Sequence, residues 1–309
     1  MKVVNHMHVF EKYTEVESLY KKRDALLACD EVIVTEKIDG TNMRIALLDN
    51  IFCIGGRNMQ FDLMLPQGDM GFVQWCKDNT IEHRLRSLGI DTIIVYGEFC
   101  GEKINVPIYG KGRDFLVFDI KIDGRYIDWD RFMDLARKLG LSTPPILYRG
   151  KPLLDVFNKF RKSVSVYGKT KAMKEYSHEG IVIRSTQAIY REDGYLIAKY
   201  KDPLFEERRS LQEGKDALIK TGYTYAYEFV TSERLKHVIS QMQETGCYTD
   251  SFECIKDMVT FMIRDSTEKE GKEEFGKLSQ KEQHAARKII SKFTQELFQE
   301  YLINRKEAS

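Results

Sequence analysis

Two apolar runs flank a short polar step near the start of the chain. Val32-Ile33-Val34 is continuous and β-branched, the pattern of a buried strand, and Met43 to Leu48 reads as a second apolar strand. Between them stands Glu36-Lys37-Ile38-Asp39-Gly40-Thr41-Asn42. Asp39-Gly40 predicts a tight turn with positive φ at the glycine, so the runs read as a hairpin with Lys37 at a strand end. Ahead of it, residues 1 to about 30 read as a lead-in and a helix over 20–29 with Leu19, Leu26 and Leu27 as its stripe.

Ile51 to Ile54 predicts a third strand, broken by Gly55-Gly56 and followed by Arg57. Phe72, Trp75, Cys76, Ile81, Leu85 and Leu88 fall at helical spacing and predict one helix over 72–87, ended by Gly89. Strands follow over 92–99 and 114–122, then an amphipathic helix over 129–139 that Gly140 and Pro144-Pro145 stop. Two more strands, 179–185 and 195–200, are split by the turn Glu192-Asp193-Gly194.

Beyond Pro203 strand-like runs give way to helical patterns, with 223–230 the remaining strand candidate. Capping boxes stand at Asp250…Glu253 and Ser279…Glu282, and Thr267 to Lys277 reads as an exposed loop. Ala286, Ile289, Ile290, Phe293, Leu297 and Tyr301 share one helical face. The predicted division is into domains 1–202 and 203–309, as a length of 309 residues also favours.

Composition narrows the class. With 42% hydrophobic and 31% charged residues the chain is globular, and no apolar run approaches the ~20 residues of a membrane span. The N-terminus lacks an apolar signal core, so the expectation is a cytoplasmic or host-cell cytosolic protein that is not secreted. Six cysteines without a C-x-x-C pair predict reduced thiols and no zinc site. The net charge of +1 names no partner, although residues 1–201 carry +4 and residues 202–309 carry −3, which permits a local basic groove in the first part.

Chemistry enters with the polar residues at strand ends. A lysine walled by apolar side chains can lose its proton and attack, the more readily beside other cations. Arg57 can grip phosphate or ribose oxygens. Glu98, between Gly97 and the end of an apolar strand, can accept from a hydroxyl or from metal-bound water. Phe118 can belong to the core or stack on a base. His178-Glu179-Gly180 opens another strand. In Ala198-Lys199-Tyr200-Lys201 both lysines share a face, a costly pairing unless an anion such as phosphate lies between them.

The order Lys-x-Asp-Gly, Arg, Gly-Glu, Phe-Asp, Glu-Gly, Lys-x-Lys resembles the covalent nucleotidyltransferases, and the wording around Lys37, Phe118-Asp119 and Lys199 is similar to the phage-type RNA ligase 2 family, over about residues 30 to 201. The resemblance implies an α+β fold: a nucleotidyltransferase domain of antiparallel sheets with flanking helices, then a small helical C-terminal domain. It also implies an ATP-dependent RNA ligase that joins 3′-OH and 5′-phosphate ends, at nicks in duplex RNA, through AMP covalently held on Lys37, in the service of RNA repair. Lys37 would be the catalytic nucleophile. Glu36, Ile38, Asn42, Arg57, Glu98, Phe118, Glu179, Lys199 and Lys201 would bind the nucleotide, with Glu36 reading the adenine edge and Phe118 stacking on the base. Glu179, Glu98 and, through water, Asn42 would hold Mg2+ or Mn2+.

The basic run Lys159, Arg161, Lys162, Lys169, Lys171, Lys174 reads as a phosphate-tracking surface or as a solvated helix face. Arg287, Lys288 and Lys292 are further candidates for RNA contact. A monomer is the default, with no membrane partner. DNA ligases and capping enzymes remain alternatives, though both add a β-barrel domain where this chain reads as helical. An inactive nucleotide-binding module would not require the nucleophile.

Overall fold

The structure, a computed structural model, describes residues 10–101, 104, 112–168, 178–191, 194–202, 217–269 and 271–305. The chain divides into two compact units, Met1–Asp202 and Pro203–Ser309. In the first, the elements run β1 (Glu17–Ser18), α1 (Leu19–Leu27), β2 (Val32–Glu36), β3 (Thr41–Leu48), β4 (Ile51–Gly56), α2 (Phe72–Asp78), α3 (Ile81–Arg86), β5 (Ile93–Cys100), β6 (Asp114–Ile122), β7 (Arg125–Tyr126), α4 (Trp129–Lys138), β8 (Ile146–Gly150), α5 (Leu154–Arg161), β9 (Gly180–Ser185), β10 (Tyr190–Arg191), β11 (Gly194–Tyr195) and β12 (Ile197–Lys201).

Two five-stranded sheets carry this unit, ordered β1-β12-β9-β2-β8 and β4-β3-β5-β6-β7. Every pairing in them is antiparallel except that of β1 with β12. The hairpin expected around Lys37 does not form. β2 pairs with β8 and β9, whereas β3 pairs with β4 and β5, so residues 37–40 cross from one sheet to the other. All five residues of β2 are buried, as a central strand covered on both faces requires. Gly40 is needed for close approach and not for its φ: a Cβ there would lie 2.7 Å from both Glu98 Cγ and the Phe99 carbonyl oxygen. The true two-residue hairpin joins β3 to β4, where Asp49 and Asn50 take φ of 51° and 65° and Leu48 faces Ile51.

One apolar layer packs the β4-β3-β5-β6-β7 sheet, through Ile45, Val95, Phe99 and Phe115, against helix residues Phe72, Leu85 and Phe132. A second joins Ala46, Ile94 and Tyr96 of that sheet to Tyr195 and Ile197. A bulge in the β5–β6 ladder bears on this second layer. Tyr96 faces Asp119 and Gly97 faces Val117, which leaves Phe118 with no residue opposite. The simple alternation expected of this strand breaks there: Phe118 and Asp119 both meet Tyr13.

From residue 10 onward the lead-in is tied to the sheets. Tyr96 Oη donates to the Glu11 carbonyl, Tyr13 Oη donates to Asp119, and the chain then enters the other sheet as β1. The single helix predicted over 72–87 is two, broken where Thr80 takes a φ of 52°. β8 was not anticipated, since Ile-Leu-Tyr-Arg-Gly after two prolines is an edge strand with no fully buried position.

The second unit is helical: α6 (Ala217–Phe229), α7 (Ser232–Glu244), a 3-10 turn (Phe252–Cys254), α8 (Ile255–Arg264), a π-helical turn (Asp265–Lys269), α9 (Lys272–Gly276) and α10 (Gln280–Arg305). The strand candidate over 223–230 lies largely within α6, because Tyr225, Ala226 and Phe229 fall on one buried helical face that outweighs their strand propensity. The loop expected over 267–277 contains the end of the π turn and α9, with Thr267 and Phe275 buried; Tyr225 Oη donates to the Ser266 and Gly271 carbonyls. The box at Ser279 forms reciprocally with Glu282, whereas Ser251 and not Asp250 caps the 3-10 turn. Among the described residues no helix is long and apolar enough to cross a membrane.

Candidate active site

Lys37 follows β2 directly, and its backbone N–H donates to the Gly180 carbonyl at 2.9 Å. Its Nζ lies 2.5 Å from Glu179 Oε2, and Lys201 Nζ lies 2.8 Å from Glu179 Oε1. Each oxygen of one carboxylate thus holds one lysine. Burial pushes the Glu179 carboxyl up, but Lys37 and Lys201 together outweigh it and hold it below the usual carboxylate range. Gly180 permits the arrangement. With φ at +141° and the place of a Cβ only 2.4 Å from the Tyr200 carbonyl oxygen, no other residue lets β9 and β12 approach here.

Lys199 stands on the same face of β12 as Lys201, while Tyr200 points away and donates to Asn158 of α5. Burial, with Lys201 and Lys37 adding, lowers the Lys199 ammonium below its usual value. The sequence pattern asked for an anion between these lysines. In the structure the Glu179 carboxylate bridges Lys201 to Lys37 instead, and no ion pair of Lys199 is found among the described residues.

β3 and β5 set Asn42 opposite Glu98. Burial pushes the Glu98 carboxyl up to about 7; nearby Lys37 and Arg57 oppose the rise, and Glu179 and Asp39 add to it. Lys37, Asp39, Arg57, Glu98 and Glu179, which lie far apart in sequence, therefore share one electrostatic neighbourhood. Asn42 Oδ1 is buried with no hydrogen-bond partner among the described residues. These oxygens suit a hard divalent cation that keeps most of its waters. Among the described residues no three His, Cys, Asp or Glu side chains cluster as a metal cage; Glu98 and Asn42 are donors that fit, and Glu179 offers the lone pairs that Lys37 and Lys201 leave.

Phe118 is half-buried, its ring centroid 4.8 Å from that of Tyr13. Behind it, Arg184 Nη1 donates to the Phe118 carbonyl at 3.2 Å and lies 3.1 Å from Asp119 Oδ2. This buried pair ties β9 of one sheet to β6 of the other. Burial raises the Asp119 carboxyl, and Arg184 and Tyr13 pull against that rise. Tyr13, Arg184 and the bulge had no assigned role in the sequence reading.

Several expected site residues have their side chains engaged within the protein. Glu36 Oε1 accepts from Ser165 Oγ at 2.5 Å, and Oε2 accepts from the N–H groups of Val166 and Tyr167 at 2.9 and 3.1 Å. The Ile38 side chain is core, packed with Cys100, Leu116 and Tyr167. Arg161 is buried with its guanidinium 4.3 Å from the centroid of the Tyr200 ring, so it tracks no phosphate, while Lys159 and Lys162 are exposed. In the C-terminal unit Arg287 and Lys288 are exposed, whereas Lys292 is half-buried. Lys169, Lys171 and Lys174 lie outside the described residues. One residue the pattern missed is His178, buried beside Glu179, with Nε2 2.9 Å from the Phe160 carbonyl oxygen and 3.0 Å from Ser163 Oγ.

Known proteins share this architecture. Protein Early 65 kDa of Autographa californica nuclear polyhedrosis virus is 29% identical over 209 residues, covering 63% of this chain and 34% of the viral protein. The chain thus spans about a third of that relative's length. The Naegleria gruberi RNA ligase with PPi matches with a TM-score of 0.53 and 21% identity, over 65% of this chain and 58% of the ligase. A variant of that ligase with ATP and Mn gives 0.54 and 20%, over 66% and 58%. At that identity the likeness establishes the fold: α+β, with antiparallel sheets. The sequence profile of the RNA ligases matches residues 30–201, more than half of the chain, and on that ground the chain belongs to the RNA ligase family.

Proposed function

We propose that the chain is an ATP-dependent RNA ligase that joins a 3′-OH to a 5′-phosphate through AMP carried on Lys37, at nicks in duplex RNA. The observation that carries this reading is the lysine–carboxylate–lysine bridge Lys37–Glu179–Lys201, set beside Glu98 and Asn42. The Naegleria relatives, whose structures hold PPi, ATP with Mn or AMP with Mn, support it.

Lys37 Nζ attacks the α-phosphorus of ATP. The N–P bond forms, pyrophosphate leaves with the electron pair of the broken P–O bond, and the lysine proton passes to water. Glu179 fixes Nζ, and a carboxyl held below the usual range makes it a positioning group more than a base. Lys199 and Lys201 face the α-phosphate and neutralise its charge. A divalent cation on Glu98 and Asn42 would supply further charge neutralisation at the phosphates. Phe118 offers its ring to the base. AMP then passes to the RNA 5′-phosphate, and the 3′-OH displaces it.

The division of labour follows the two units: residues 1–202 carry adenylyl transfer, and residues 203–309 select the RNA, with Arg287 and Lys288 as exposed cations. The test uses nicked duplexes with a labelled 5′-phosphate strand, in all-RNA and all-DNA forms. Joining of the RNA nick, with a transient adenylylated 5′ end, is expected; equal sealing of DNA, or no joining, refutes the RNA assignment.

A further inference from the structure

Arg44 lies on β3 two residues beyond Asn42, hence on the same face and about 7 Å farther along. Its neighbours across the ladder are Gly55 and Tyr96. It is 4% exposed, and Nε and Nη1 have no hydrogen-bond partner among the described residues. The Tyr96 hydroxyl, which donates to the Glu11 carbonyl, accepts from neither of these nitrogens. The one described contact of the guanidinium is the ring of Phe10, 4.2 Å from Cζ to centroid.

This contact is not enough, because a buried guanidinium gives up its hydration and one ring face returns only part of that loss. The missing complement of a planar, forked donor is an oxyanion. Asn42, with its own unfilled Oδ1, and Glu98 lie on the adjoining rungs and mark this face as ligand-facing. Gly55 makes room: a Cβ there would stand 2.7 Å from Phe10 Cε1, so only glycine lets the ring of the lead-in segment lie over the guanidinium.

We propose that Arg44, covered by Phe10, is an additional phosphate-binding subsite of the nucleotide cleft, taking a phosphoryl oxyanion either from the polyphosphate of ATP or from the 5′-phosphate end of the RNA. The proposal rests on the ligase reading of the cleft, although binding itself needs no turnover.

The full chain, as wild type, R44Q and R44K, is titrated by calorimetry at fixed ionic strength with inorganic tripolyphosphate and with a 5′-phosphorylated RNA dinucleotide, whose 5′-hydroxyl form is the control. R44Q is expected to weaken at least one phosphate probe tenfold or more and R44K to weaken it less, with the R44Q melting temperature at or above wild type. Loss for tripolyphosphate alone assigns the subsite to the nucleotide; loss for the 5′-phosphate alone assigns it to the RNA; loss for both makes it shared. Unchanged binding of both probes overturns the proposal, as does wild-type protein that binds neither. If R44Q fails to fold, R44K decides: wild-type affinity for both probes makes Arg44 only a support for Phe10. Arg44-dependent binding without any lysyl-AMP would remove the ligase reading and leave the anion site standing.

Discussion

Lys37 and Glu179 are an ion pair, Nζ to Oε2 at 2.5 Å, formed across 142 residues of sequence. The pair fixes the Lys37 side chain, whose backbone N–H is already bonded to the Gly180 carbonyl. Glu179→Gln keeps the shape but leaves Lys37 and Lys201 as like charges with no carboxylate between them. Lysyl-AMP formation should fall about 100-fold, with far-ultraviolet circular dichroism unchanged. A rate within threefold of wild type would show that the carboxylate does not position the lysine.

Glu36 latches residues 165–168 to the strand that delivers Lys37, since Ser165 Oγ also accepts from the Gly168 N–H at 2.9 Å. Glu36→Gln replaces a charged acceptor of three hydrogen bonds by a neutral one. A loss of about 1–3 kcal/mol in denaturant titration is expected, with faster amide exchange at Val166 and Tyr167. Unaltered exchange at those two amides would count against the latch.

Glu98 makes stability depend on pH. Its carboxyl rises from 4.5 to about 7 on folding, so between those values the folded chain keeps a proton that the unfolded chain has lost. Stability of the nucleotide- and metal-free protein should therefore fall as pH rises from about 4.5 to about 7 and then level off. The full fall attributable to this group is at most on the order of 3 kcal/mol. Glu98→Gln should be flatter over that window and more stable than wild type at pH 8. Parallel profiles for the two proteins would contradict this.

Tyr13 and Arg184 share the Asp119 carboxylate, Tyr13 Oη at 2.9 Å and Arg184 Nη1 at 3.1 Å. Tyr13→Phe removes one neutral donor and should cost about 1 kcal/mol. Asp119→Asn strands a buried guanidinium and should cost about 3–5 kcal/mol. Equal losses in urea unfolding would mean that the two sheets are not tied through the ion pair.

Much of this arrangement was legible because it is local. Apolar runs marked β2, β3, β5 and β9, and the strand-end residues Lys37, Glu98 and Glu179 followed from them. The crossing between sheets was not legible, since Asp39-Gly40 carries a turn signal whatever strand comes next, and partners are chosen by burial on both faces of β2. The side-chain partners of Glu36 were illegible for the same reason: they lie 129 to 131 residues away. Arg161 could have been read correctly. It continues the Leu154, Phe157 stripe of α5 at helical spacing, a stronger signal than membership of a basic run. The bulge at Phe118 leaves no mark in an unbroken apolar strand.

Lysyl-AMP at Lys37 can be weighed directly. Purified full-length chain is incubated with ATP and Mg2+, digested, and its peptides weighed. One AMP is expected on the peptide that contains Lys37, with no adduct in Lys37→Ala and weaker labelling with GTP than with ATP. Adduct on another residue, adduct that persists in Lys37→Ala, or none from folded wild-type protein would contradict this.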